Sequence, residues 1–394
     1  MKQRMLSRFP LLLLIVSLLL MGVGPTQPLA PTPRYAVHTI SGDASELTLA
    51  HAAGFDTLVQ LLHWGETEPT RGQFFWQRAD EWVQAAQAYG LDLVLRLDHP
   101  PEWARPAQLV PGQPPVRLAE YTRWVAQVAA RYRGQVRGYI IWNEPNLALE
   151  WGGLPPDPAA YVALLRAAHG AVKQGDPAAL VISAGLAPTN TQNDDALDER
   201  LYLDDMYAAG AAPYFDVLGA HAYGFGLPPD DLAGWPSGLA GLNLARLGES
   251  RALMVRYGDG DKAVWVTELG WAVAGVAHTG GHSVTPAQQA AYLVQALAAS
   301  PQRWPWVELI TVWNLGGVAA PEWRAYSLLD DQGAPRPAYH ALTGLLAPTS
   351  AQRRAQPAPN PTIQILAADT TIHLGDATLP LPWVELHLNR NPSP

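Results

Sequence analysis

The chain has 394 residues, with 26 Lys plus Arg against 35 Asp plus Glu, a net charge of -9 and no cysteine. The acidic balance disfavours nucleic-acid binding, which needs phosphate-neutralising charge, and the missing cysteines exclude disulfides, thiolate metal sites and cysteine nucleophiles. With 48% hydrophobic and 15% charged residues the chain can bury a large core, and its 15 Trp and 14 Tyr against 6 Phe suit half-wet, half-apolar surfaces such as sugar-binding clefts.

Residues 1–30 begin with Lys2, Arg4 and Arg8, continue as an apolar run from Phe9 to Val23 and end in Pro-rich sequence. A basic start, an apolar stretch and a polar exit are the parts of an export signal. The run is short for a span of about 20 residues but long enough for an uncleaved anchor. Pro31, directly after Pro28-Leu29-Ala30, works against cleavage. The expectation is an extracytoplasmic protein, secreted or anchored to the outer face of the cytoplasmic membrane.

From Tyr35 onward, short apolar runs alternate with amphipathic helical spacing. The strand candidates are Ala36–Ile40, Thr57–Leu62, Leu91–Leu97, Val136–Asn143, Leu180–Ala184, Phe215–His221, Ala263–Glu268 and Val307–Asn314. Between them Tyr121, Trp124, Val125 and Val128 fall at i, i+3, i+4 and i+7, as do Tyr161, Leu164, Leu165 and Ala168. Pro158 and Pro286 sit where proline is tolerated at a helix start. Eight such units predict an α/β fold, a closed (β/α)8 barrel over residues 31–346, rather than an open nucleotide-binding sheet. Ser41 to Ser45, after the first strand, carries no Gly-rich phosphate fingerprint. Residues 347–394 change texture: they are Pro-rich, with short alternating runs at Thr362–Leu366 and Trp383–Leu388, and read as a linker with a strand-forming tail.

A βα barrel places its active site at the carboxyl ends of its strands. Strand four ends in Trp142-Asn143-Glu144-Pro145-Asn146 and strand seven in Thr267-Glu268-Leu269-Gly270-Trp271. Strand six ends in His221-Ala222-Tyr223 and strand eight in Trp313-Asn314. A carboxylate at the mouth of an apolar strand is costly unless it has partners or a task. Two of them, three βα units apart, face each other across a narrow mouth and can flank one glycosidic bond. Asn143 suits a sugar 2-hydroxyl, Tyr223 can donate to the strand-seven carboxylate, and Trp313 offers a flat face to a pyranose ring. Strict alternation turns Asn143 and Glu144 to opposite sides, so both serve only if the strand ends or bulges there.

These segments resemble the signature positions of the clan A glycoside hydrolases, over about residues 35 to 345. The stretch His63-Trp64 through Glu68-Pro69, Gly72 and Trp76 resembles the second βα unit of the xylosidase- and galactosidase-like members of that clan. The resemblance implies a retaining β-glycosidase without cofactor or metal. Glu144 is then acid/base, Glu268 nucleophile, Asn143 a sugar contact, His221 and Tyr223 supports, and Trp313 a platform. Many members place an arginine at the end of strand two. Gln60 to His63 has none, and Arg96, ending strand three, is the candidate to serve the same region.

Blander readings apply elsewhere. Trp82 and Trp124 on helices are packing, whereas Trp151, Trp235, Trp271 and Trp323 in loop-like sequence are candidate sugar platforms. Glu66 and Glu68 read as structural. The acidic run Asp194 to Asp205 fits no EF-hand and reads as a solvated face, and His278 and His282 lack a third ligand at metal-like spacing. The expected partner is an oligo- or polysaccharide. The alternatives are a non-catalytic sugar-binding barrel at the cell surface, or a transglycosylase using the same glutamates. No G-x-S-x-G elbow supports a serine hydrolase.

Overall fold

The computed structural model describes residues 33–110, 112–231, 241–276, 282–317 and 320–347, together with four short strands in the tail. Eight parallel strands alternate with eight principal helices in an unbroken (β/α)8 order. The strands are β1 (Arg34–Thr39), β2 (Thr57–His63), β3 (Asp92–Asp98), β4 (Gly138–Ile141), β5 (Leu180–Ser183), β6 (Leu218–Tyr223), β7 (Val264–Gly270) and β8 (Val307–Val312). The helices are α1 (Ala44–Ala53), α2 (Gln77–Tyr89), α3 (Leu118–Arg131), α4 (Pro158–Gly175), α5 (Glu199–Ala208), α6 (Arg246–Arg256), α7 (Pro286–Arg303) and α8 (Pro337–Leu346). Neighbouring strands pair in the order β5-β4-β3-β2-β1-β8-β7-β6. The ring is joined between its last two members by a parallel bridge from Ile182 to Val217 and by the Ser183 N–H donating to Val217 O at 3.1 Å.

Local chemistry explains the helix starts. Pro158 and Pro286 occupy the first turns of α4 and α7, where the missing N–H costs nothing. Asp157 accepts from the Ala160 N–H, and Thr285 forms a capping box with Gln288. The apolar stripe of α3, Tyr121, Trp124, Val125 and Val128, is fully buried against the barrel, and Trp82 and Trp124 are packing residues as expected.

The barrel interior is a ring of one residue per strand or strand start: Ala36, Val59, Val94, Ile140, Ile182, Val217, Trp265 and Leu309. Each buried Val, Ile or Leu contributes about 1.5–3 kcal/mol relative to exposure. Four residues further along five of these strands stand His63, Asp98, Glu144, His221 and Trp313. The period-2 alternation that fills the interior therefore lifts polar and aromatic side chains to the carboxyl-end mouth.

In the tail, strands at Ile363–Leu366, Thr371–Leu374, Ala377–Pro380 and Glu385–Leu388 pair with one another. Among the described residues no helix is long and apolar enough to cross a membrane. Residues 1–30, read above as a candidate export segment, and Trp235 and His278 lie outside the described residues.

Candidate active site

β4 ends at Ile141, and the chain then turns through left-handed backbone at Trp142 (φ 73°) and Glu144 (φ 36°). Such angles are costly for residues with a side chain and persist only where the surroundings fix them. Here the Glu144 N–H donates to Gly185 O at 3.1 Å, and the Trp142 indole donates to Glu150 O at 2.8 Å. The buried Asn146 amide donates to Ala187 O and Leu197 O. The strand end, not alternation, lets Asn143 and Glu144 serve one cleft.

Glu268 reaches the cleft by a different route. Trp265 points into the barrel, so alternation would turn Glu268 outward. β7 changes register against β6 between Ala220 and His221, and against β8 between Val266 and Leu269. This irregularity pairs Glu268 with His221 and brings its carboxyl inside.

The two carboxylates share a dense set of partners. Arg96 Nη1 donates to Glu268 Oε1 at 2.9 Å and to Asn143 Oδ1 at 2.9 Å, while its Nε donates to Asp98 Oδ2 at 2.7 Å. The Tyr223 hydroxyl donates to the other oxygen, Glu268 Oε2, at 2.5 Å. His221 Nδ1 lies 2.7 Å from Glu144 Oε1 and 3.6 Å from Glu268 Oε2. Glu144, His221 and Glu268 each bring one polar atom within 4.8 Å of the others. With its carbonyl oxygen given to Arg96, the Asn143 amide keeps its N–H groups for a ligand.

These contacts set the charges. Burial pushes the Glu268 carboxyl above its ordinary value, while His221, Arg96 and the Tyr223 hydroxyl pull it back towards the ionised form. Burial alone would lower the His221 imidazole, but the Glu268 and Glu144 carboxylates outweigh it and raise it. Burial would raise Asp98 as well, yet Arg96 and His99 hold its carboxyl far below the usual carboxylate range. Glu268 thus faces two cationic groups and a phenol, whereas Glu144, with 18% of its side chain exposed, opens towards the cleft.

Among the described residues, two three-residue groups have ligand atoms close enough for a metal, Glu144 with His221 and Glu268, and His63 with Asp98 and His99. In the first, both Glu268 oxygens are already bound by Arg96 and Tyr223. In the second, the imidazoles stack at 4.1 Å and 19°, so their in-plane lone pairs run side by side instead of converging on one ion.

Several positions differ from the sequence reading. Arg96 does lie beside Glu268, but with a side chain 6% exposed it orients carboxylates and Asn143 instead of meeting a ligand directly. The His221 ring, 2% exposed, holds the two carboxylates in the supporting role the resemblance implies. Trp271 is buried beneath the site; its indole donates to Leu227 O at 2.7 Å and packs where any side chain on Gly224 would stand. It is a support, not a platform. Trp151 is likewise buried, edge-on to Trp142 and Tyr161. Trp313 stands at the mouth with its ring edge-on to His38 and to Trp323, which is 44% exposed. The peptide after it, Trp313-Asn314, is cis. Glu68 is structural, accepting from the Trp64 indole, the Gly72 N–H and Arg123. Asp198 caps α5, and Glu199 pairs with Arg246. Asp98, His99, Glu150 and Tyr326 also belong to the mouth. No local motif singles them out.

No family model matches this chain, and no curated protein sequence matches it. Solved structures do. A family 39 glycoside hydrolase from Bacteroides cellulosilyticus WH2 aligns with TM-score 0.59 and 21% identity over 89% of this chain and 66% of its own. A monomeric β-xylosidase from Caulobacter crescentus CB15 aligns with TM-score 0.57 and 19% identity, over 81% and 69%. A glucosidase from Croceicoccus marinus gives TM-score 0.60 and 17% identity, over 82% and 69%. The chain therefore spans about two thirds of the length of these structures, and the fold it shares with them is the (β/α)8 barrel.

Proposed function

We propose that the chain is a retaining glycoside hydrolase that cleaves β-linked oligo- or polysaccharides, exported from the cytoplasm by its N-terminal segment. The observation that carries this reading is the glutamate pair: two carboxyl groups on facing strand ends, each with oxygens committed to different partners. Polar atoms of Glu144 and Glu268 lie within 4.8 Å. Such proximity of one oxygen from each supports the ~5–5.5 Å carboxyl spacing of double displacement over the ~6.5–9.5 Å of an inverting site. The fold neighbours, glycosidases by name, support the same reaction class.

In the first step a Glu268 oxygen attacks the anomeric carbon as Glu144 protonates the departing glycosidic oxygen, leaving a glycosyl ester on Glu268. In the second, Glu144, now a carboxylate, takes a proton from water. The water oxygen bonds to the anomeric carbon and Glu268 leaves as carboxylate. Arg96 and Tyr223 hold Glu268 at both oxygens, so attack needs little reorientation. The Asn143 N–H groups are placed for the 2-hydroxyl, and the half-exposed Trp323, packed on the buried Trp313, supplies an apolar wall.

Proton NMR of the first-formed sugar tests this reading. A β-anomer from an aryl β-glycoside is expected, and an α-anomer would overturn retention. Replacing Glu144 by Gln should lower kcat on substrates with poor leaving groups by about 10²–10⁴-fold. Transglycosylation uses the same first step, and products formed at high acceptor concentration separate the two.

A further inference from the structure

Beside the carboxylate pair, between the ends of β3 and β4, lies a cavity of about 210 Å³ that the mechanism above does not use. It is far larger than the ~30 Å³ share of one water. Its polar side is made by Asp98, His99, Glu150 and Arg105, whose guanidinium donates to Pro100 O, and its apolar side by Trp142, Leu109 and Leu149. The cavity adjoins the reacting centre: Asp98 and Glu268 hold the same Arg96 side chain, and Trp142 precedes Glu144 by two residues.

The loop that carries Glu150 is fixed on both flanks. The Trp142 indole donates to Glu150 O at 2.8 Å, and the next residue, Trp151, is fully buried against Trp142 and Tyr161. Between these anchors Leu149 is held 87% exposed at the rim, with Leu109 opposite at 39%. Apolar side chains kept in solvent around a concave polar floor mark a place where a ligand completes the packing.

Glu150 itself is the unusual member. Asp98 is satisfied by Arg96 and His99, but the half-buried Glu150 carboxylate has no donor and no cation within bonding distance among the described contacts. Burial lifts it to about 6; the Arg96 and His99 charges oppose that rise and the Glu144 and Asp98 charges add to it. A desolvated carboxylate of this kind gains most from hydroxyl donors brought by a ligand.

We propose that this cavity is a second sugar site, in which the Glu150 carboxylate accepts from hydroxyls of the pyranose ring next to the one at Glu268, and Leu109 and Leu149 cover that ring's C–H face. The preferred substrate is then an oligosaccharide chain and not a single-sugar glycoside. The inference rests on the glycosidase reading for the identity of the ligand, but its binding step is independent of turnover.

The test is calorimetric titration of the Glu268→Gln protein with β-1,4-linked trisaccharides of glucose, xylose, mannose and galactose, and with the methyl β-glycoside of each sugar. At least one trisaccharide should bind about tenfold or more tighter than its methyl glycoside. Adding Glu150→Gln should remove most of that gain, the scale expected when a charged hydrogen bond is lost. Leu149→Ser, at a fully solvated position that leaves folding intact, should reduce the gain several-fold, with the melting temperature checked for both variants. Equal binding of trisaccharide and methyl glycoside, a gain indifferent to Glu150 and Leu149, or no binding at all would each overturn the proposal. If the trisaccharide gain depends on Glu150 but the wild-type protein cleaves nothing, the second site stands and the hydrolase reading fails. If aryl glycosides are cleaved with no Glu150-dependent preference for longer chains, only the second site fails.

Discussion

Arg96 binds three groups at once, Asp98, Asn143 and Glu268, and so links the charge of the proposed nucleophile to the amide proposed to meet the sugar. Its place at the end of β3 was legible in the sequence as the substitute for an arginine missing from strand two. Asp98 was not legible, since its value lies in a contact two residues away in sequence but closed by the barrel. Changing Asp98 to Asn should destabilise the fold by about 3 kcal/mol, the scale of a broken buried ion pair, seen as a lower melting temperature. The sign with pH follows from its depressed folded value. The contribution is full above the unfolded carboxylate value of about 3.9 and disappears as pH falls through the lower folded one. The gap between wild type and Asp98→Asn should therefore close on acidification. His221 acts in the other direction. Its charge lowers the Glu268 carboxyl, so His221→Gln should move the acidic limb of kcat/KM to higher pH, whereas a ring that merely packs would leave the limb where it is.

At the scale of elements, the period-2 count explains most of the mouth and fails in one place. Val59, Val94, Ile140, Val217 and Leu309 fix the interior layer, and four residues on they deliver His63, Asp98, Glu144, His221 and Trp313. Glu268 stands only three beyond Trp265, and the register shift in β7 supplies the missing turn. Nothing in the local sequence announces that bulge, because a bulge is defined by the partner strands. The end of β4 was legible as a requirement, that the strand stop for Asn143 and Glu144 to act together, and the positive φ angles show how it stops. Gly185 at the end of β5 is part of the same construction: a methyl group there would stand on the His221 ring and the Thr267 hydroxyl. Gly185→Ala should leave the circular dichroism of the barrel unchanged and lower kcat/KM by about 10²-fold through the displaced His221.

For the molecule as a whole, eight apolar runs separated by helical stripes were enough to predict the closed barrel, since burying both faces of a parallel sheet requires that alternation. The aromatic excess was harder to place. Trp151 and Trp271 sit in loop sequence yet are buried, because long βα loops fold back over the mouth and need cores of their own. Exposure of a loop tryptophan depends on those tertiary contacts, which no periodicity encodes. What remains for sugar contact is the half-exposed Trp323, since Trp313 beside it is only 5% exposed. The central claim is that Glu268 carries the sugar between the two steps. It is tested most directly by incubating the wild-type protein with 2-deoxy-2-fluoro β-glycosides bearing a good leaving group, in the gluco, xylo, manno and galacto series, and mapping the labelled peptide by mass spectrometry. The account predicts one glycosyl adduct, on Glu268, absent from the Glu268→Gln protein. A label on any other residue, or rapid turnover of these substrates with no adduct and an α-anomeric first product, would contradict it.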